Sequence, residues 1–184
     1  MTDWTSSESL RGHMLAVEAA VAAYAERDGE DVDLWSATAL LHDFDYERHP
    51  DLGPDGHPFV GVAHLRAEGW PEPLCDAILG HADHTGVVRE SRLAKVLYAC
   101  DEITGLITAA VLVRPDKSID ALELKSLKKK FKDKAFARGV ARDDVRRGAD
   151  ELGVELWEHV QFVLDAMKAR AAALGLDGRS ERGL

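Results

Sequence analysis

Cysteine is scarce: Cys75 and Cys100 are the only two in 184 residues. Two thiols do not make a disulfide framework, so the chain reads as cytosolic. No apolar run is long enough to span a bilayer, and the opening MTDWTSSESLRGH has no hydrophobic signal-peptide region. Positive charge is in deficit. A formal net charge of −10 disfavours general nucleic-acid binding through a basic surface. β-rich segments, internal repeats and a second domain are missing too. With 46% hydrophobic residues, the chain is too apolar for wholesale disorder and long enough for one well-buried core. An anionic small substrate remains compatible with the charge, because metals and local lysines set the field at a site.

What the chain does have is helical periodicity. Leu10, Met14, Val17, Val21 and Tyr24 recur at three- and four-residue spacing. They predict a helix with His13 beside its apolar face, ending near Asp28-Gly29. A second helix starts at Asp33 as cap and runs through Trp35, Thr38 and Leu41 to His42. DFDYERHPDLGPDGHP, dense in Asp, Pro and Gly, is a loop. Pro58 suits the first turn of a third helix, which puts His57 at or near its cap and ends near Gly69-Trp70. Pro71 to Pro73 open a fourth, with Leu74, Ile78 and His81 on one stripe. A long helix follows from about Ser91 to Val111, with Asp101 in its middle, on or beside the apolar face. After Pro115, Ser118 to Leu127 reads as a short amphipathic helix. Asp143-Asp144 open another that closes at Gly153. Val154 to Leu174 is the last helix, with Leu156, Val160, Val163, Leu164 and Met167 facing inward. The expected architecture is all-α. It is a single-domain helical bundle over 1–170, with a metal-site core over 10–112, a helical extension over 116–170 and a frayed tail over 171–184.

His42-Asp43 carries the most chemical information. A carboxylate directly after an imidazole at a buried helix end is costly to desolvate, and a cation offsets that cost by accepting both as ligands. His13, His57, His81 and Asp101 are the candidate partners. Imidazole and carboxylate together suit iron, manganese, cobalt, nickel or zinc more than calcium. A lone His on an apolar face is usually a hydrogen-bonded core residue, and His57, between a glycine and a proline, also suits a capping role. Two buried carboxylates without a cation are harder to satisfy. His84 follows His81 by three residues, so either could be the ligand; His81 is favoured because it continues the Leu74, Ile78 stripe. His64 is a weaker rival, and His49 and His159 read as surface residues.

The order His13, His42-Asp43, His57, His81, Asp101 resembles the HD superfamily of metal-dependent phosphohydrolases. The pattern covers residues 13 to 101, and the stretch from Leu112 to Val145 looks like that of small bacterial HD-domain proteins. The resemblance implies an HD-type helical bundle that cleaves phosphate esters or anhydrides of a nucleotide or related small phosphate compound. His13, His42, Asp43 and Asp101 suffice for one ion. Where all six positions are filled, the resemblance implies two, with His57 and His81 holding the second and Asp43 between them. Asp43 and Asp101 are then catalytic, and the metal-activated water attacks phosphorus.

Substrate-binding candidates are Arg11, two residues before His13, His84, and Lys125 and Lys128, one helical step apart in KSLKKKFKDKAF. The plainer reading of that lysine run is a solvated helix face. Asp83 or His84 could protonate the leaving group. Glu102 points away from Asp101 by about 100° on a helix, which suits a supporting role. Two other functions compete with hydrolysis: a two-iron HD-fold oxygenase, and a non-catalytic ligand-binding HD domain. The expected partner is a small phosphorylated substrate, with no membrane and no general nucleic-acid partner; the sequence does not specify an oligomeric state.

Overall fold

Ser7 caps the first helix by accepting the Leu10 amide on its hydroxyl, and Gly29 ends it at φ 73°, a left-handed conformation that glycine adopts without a Cβ penalty. Between them α1 (Glu8–Asp28) is richer in alanine than one apolar face requires. From Ala16 to Val21 every residue is buried, and Ala22, Tyr24 and Ala25 follow. The heptad-like spacing predicts one buried face; the structure buries this stretch all round. Small side chains permit that, and the one acid among them, Glu18, accepts a hydrogen bond from the Ser36 hydroxyl.

The computed structural model describes residues 3–179. Among these, α1 is followed by α2 (Val32–Leu41), α3 (Phe59–Ala67), α4 (Glu72–Gly80), a 3₁₀ turn (Asp83–Thr85), α5 (Arg92–Leu112), α6 (Leu124–Lys132), α7 (Arg142–Leu152) and α8 (Leu156–Ala169). There is no strand among the described residues, only an isolated bridge between Ser118 and Asp177. The fold is all-α, as expected. No helix among them is long and apolar enough to cross a membrane. The chain divides into two compact units, Met1–Tyr98 and Ala99–Leu184, and the division falls inside α5.

In the first unit α1 packs on α2, α2 on α4, and α3 on α4. Met14, Leu41, Phe44, Leu65, Leu74 and Ile78 meet in one apolar cluster, which fixes the ends of α2 and α4. Asp31, not Asp33, caps α2: its carboxylate accepts the Leu34 amide. At the other end of α1, Asp28 accepts from Arg27 and Arg92, and these hydrogen bonds hold its carboxyl below the usual range.

In the second unit α6 and α7 each pack on α8. Four expectations change here. The helix expected over 118–127 begins only at Leu124, because the chain before it pairs elsewhere: the Ile119 amide donates to the Leu176 carbonyl at 2.8 Å. That same bond holds part of the segment expected to fray. Residues 171–179 turn back to Ser118 and bury Leu176, while 180–184 lie outside the described residues. The last helix accordingly stops at Ala169. His159 is also not a surface residue. It is buried, and its Nε2 donates to the Ala99 carbonyl at 2.8 Å. Its place was visible in the spacing, since residues 156, 159, 160, 163, 164 and 167 form one helical stripe.

Gly148 brings α7 against the backbone at Ala99: a Cβ at 148 would lie 2.7 Å from the Ala99 Cα. Replacing Gly148 with Val should lower unfolding stability by about 1–3 kcal/mol, read as a lower urea midpoint at unchanged m-value. A wild-type midpoint would show that this contact does not constrain the unit.

Candidate metal centre

Two helices of the first unit end in the same way. His42 is the C-cap of α2, and its Nδ1–H donates to the Ala39 carbonyl at 2.7 Å. His81 is the C-cap of α4, and its Nδ1–H donates to the Ile78 carbonyl. Each ring thereby engages a carbonyl of its own helix's last turn; the Ile78 carbonyl also accepts the His81 amide, at 3.4 Å. Each also fixes its own tautomer, leaving Nε2 as a bare lone pair. Helix C-termini carry partial negative charge, so both ends favour a cation beside them.

His57 reaches the same state by another route. Its Nδ1 lies 2.7 Å from Asp45 Oδ1, and a carboxylate can only accept, so the nitrogen donates. Asp45 is buried at 1% exposure, and its other oxygen accepts the Gly61 amide at 2.6 Å. Gly61 makes that approach feasible: a Cβ there would lie 2.6 Å from the Asp45 Cγ. Asp45 is not among the residues that the sequence pattern marks. Its only signal is the second acid in DFDYE, and no spacing rule links it to a histidine twelve residues on.

The bare nitrogens converge. His57 Nε2 and His81 Nε2 are 3.2 Å apart, and both face Asp43 Oδ1, at 3.3 and 3.4 Å. On the other side of the same carboxylate, His42 Nε2 and His13 Nε2 are 3.3 Å apart, and lie 3.4 and 3.7 Å from Asp43 Oδ2. Asp43 therefore divides its two oxygens between two imidazole pairs. Burial pushes its carboxyl up, but the positive charge and hydrogen bonds that His42 and His81 supply when protonated outweigh that and hold it well below the usual carboxylate range. Around Oδ1, with the rings neutral, three acceptors meet without a donor between them. Such a set can hold a metal ion, and nitrogen with carboxylate oxygen suits a divalent one. Asp43, His57 and His81 each offer a ligand atom within 4.8 Å of the others.

A family model for the HD domain matches residues 10–106, more than half of the chain. The chain belongs to the HD family. HD domains are mostly metal-dependent hydrolases and bind divalent metals, in keeping with this His/Asp cluster. No curated protein sequence and no solved structure matches the chain.

Other residues singled out by sequence lie as follows. Asp101 is half-buried near the middle of α5. Its neighbour Glu102 accepts the Ala141 amide at 3.0 Å, a structural contact ahead of α7. Arg11 donates to the carbonyls of Thr5 and Ser6, both at 2.8 Å, and so ties the N-terminal segment to α1. His84 does not share a helix with His81: α4 has ended, and His84 sits in the 3₁₀ turn with its Nε2 donating to the His57 carbonyl at 2.9 Å. Asp83 is paired with Arg89 at 2.9 Å. His64 stacks on Trp4 and pairs with Glu68, away from the cluster. His49 also lies against Trp4. Lys125 is exposed on α6, and the Lys128 ammonium lies over the Trp157 ring.

Tyr46 was also not singled out by sequence. Its ring stands edge-on to His57 at 5.2 Å, and with Leu10, His13 and Glu47 it lines a cavity of about 320 Å³.

Asp45→Asn tests the support of the cluster. The two donors go to different Asp45 oxygens, and an amide in the same place puts an NH2 where one of them was, so one of the two bonds is lost. Metal affinity at the His57–His81 pair should fall by about ten- to a hundredfold, measured by calorimetric titration. Wild-type affinity would show that Asp45 does not orient His57.

Proposed function

We propose that the chain is a metal-dependent phosphohydrolase acting on a nucleotide or related small phosphate compound. The observation that carries this is the division of Asp43 between two imidazole pairs. Such a carboxylate suits two ions held side by side, with His57 and His81 serving one and His13 and His42 the other. Asp101 is assigned to the second set on the ordered sequence pattern, His13, His42-Asp43 and Asp101. Bound divalent ions supply a water of lowered pKa and stabilise charge on phosphoryl oxygens.

The chain's own residues then have distinct tasks. His42, His57 and His81 hold their Nε2 lone pairs in place because each Nδ1–H is already engaged. Asp43 remains a carboxylate in a half-buried site, so both oxygens are available as ligands. The cavity at His13 and Tyr46 is the substrate's approach. Among the described residues its wall carries no lysine or arginine, so recognition of the phosphate falls to the ions, while Tyr46 and Leu10 offer apolar surface to the group that carries it. Arg11 is less suited to that contact than its position beside His13 suggests, because its guanidinium already serves two carbonyls.

A phosphate-release screen over nucleotides, dinucleotides and sugar phosphates, run on metal-loaded protein, tests the reading. At least one substrate should turn over, and Asp43→Ala and Asp101→Ala should each lose bound metal and nearly all activity. Unchanged metal content in Asp101→Ala would remove Asp101 from the ligand set. Oxygen consumption by protein holding about two irons per chain, with no phosphate released, would replace hydrolysis with oxygenation.

A further inference from the structure

A second cavity, of about 670 Å³, lies wholly within the second unit, between the end of α6 and the start of α7. Five cationic side chains line it: Lys132, Lys134, Arg138, Arg142 and Arg146. Two acids, Asp143 and Asp144, share the wall, but they are engaged by Arg146 and Arg147. Lys132, Lys134 and Arg138 form no ion pair among the described residues and are exposed. The lining thus has a positive excess in a chain whose net charge is −10. A cluster of unbalanced cations around a concavity is unfavourable on its own and concentrates anions.

The loop that shapes the cavity is built around Arg142. Its guanidinium donates to the carbonyls of Phe136, Ala137 and Val140, which turns residues 136–140 inward around one charge. Ala137 takes φ 43° there, a left-handed conformation that a non-glycine residue adopts only when its surroundings hold it. Arg142 Nε remains buried without an acceptor. A buried N–H donor without a partner is unusual in a folded chain and needs an explanation. α7, which begins at Arg142, has no side-chain N-cap, so its first turn adds further positive potential to the wall.

We propose that this cavity binds a polyphosphate group, either an inorganic polyphosphate or the phosphate chain of a nucleotide. Three cations without acidic partners match a ligand of three or four negative charges better than a single phosphate or a carboxylate. The volume is in the range of small-molecule sites. None of the lining residues belongs to the metal cluster, so the site is a separate one.

Calorimetric titration of the full-length protein with inorganic triphosphate, and in parallel with ATP, tests the assignment. The Asp43→Ala background removes ligand binding at the metal cluster. In that background one saturable site should remain. Lys134→Ala combined with Arg138→Ala should weaken it by roughly ten- to a hundredfold, and both side chains are exposed, so the fold survives the change. Lys129→Ala with Lys168→Ala, which removes two charges from outside the cavity lining, should leave it unchanged. Tighter binding of ATP than of triphosphate assigns a nucleotide, and equal binding assigns the phosphate chain alone; both outcomes support the site. No saturable binding in the Asp43→Ala protein, or equal weakening by the two double variants, overturns it.

Discussion

Three acceptors without a donor between them are the constraint on which this structure turns. His57 Nε2, His81 Nε2 and Asp43 Oδ1 lie within 3.4 Å of one another, and both imidazoles carry their proton on the far nitrogen. Left empty with neutral rings, that arrangement is repulsive and partly cut off from water. With a cation it becomes a ligand set. The Ala39 and Ile78 carbonyls and the Asp45 carboxylate each hold a ring so that its second nitrogen faces Asp43.

The fold supplies the geometry mainly through where helices stop. α2 and α4 both end on a histidine, and the apolar cluster around Phe44, Leu41 and Ile78 keeps the two ends in register. The loop between α2 and α3 then has one task of its own, to return His57 and Asp45 to the same point; Gly61 admits Asp45 to the backbone of α3.

Much of this was legible in the sequence because it depends on local signals. Gly29 and Gly153 mark helix ends, Pro58 and Pro71 mark starts, and His42-Asp43 is a costly pair at the end of an apolar run. What could not be read depends on contacts distant in sequence. Asp45 acquires its role only when the loop brings His57 back to it. The segment before α6 stays out of the helix because it pairs with residues almost sixty positions later. His159 is a different failure, since its spacing placed it on the buried stripe and its polar side chain suggested the surface. The run of lysines also divides in the structure: Lys128 lies over Trp157, Lys130 over Phe136, and only Lys132 and Lys134 join the lining of the basic cavity.

The central claim is that one carboxylate, Asp43, serves two ions at once. Titration of the metal-free protein with Mn(II), followed by electron paramagnetic resonance, examines that claim directly. The account predicts saturation at about two ions per chain and an exchange-coupled spectrum, since a shared carboxylate holds the two spins close together. Saturation at one ion, with the six-line signal of an isolated Mn(II), would contradict it.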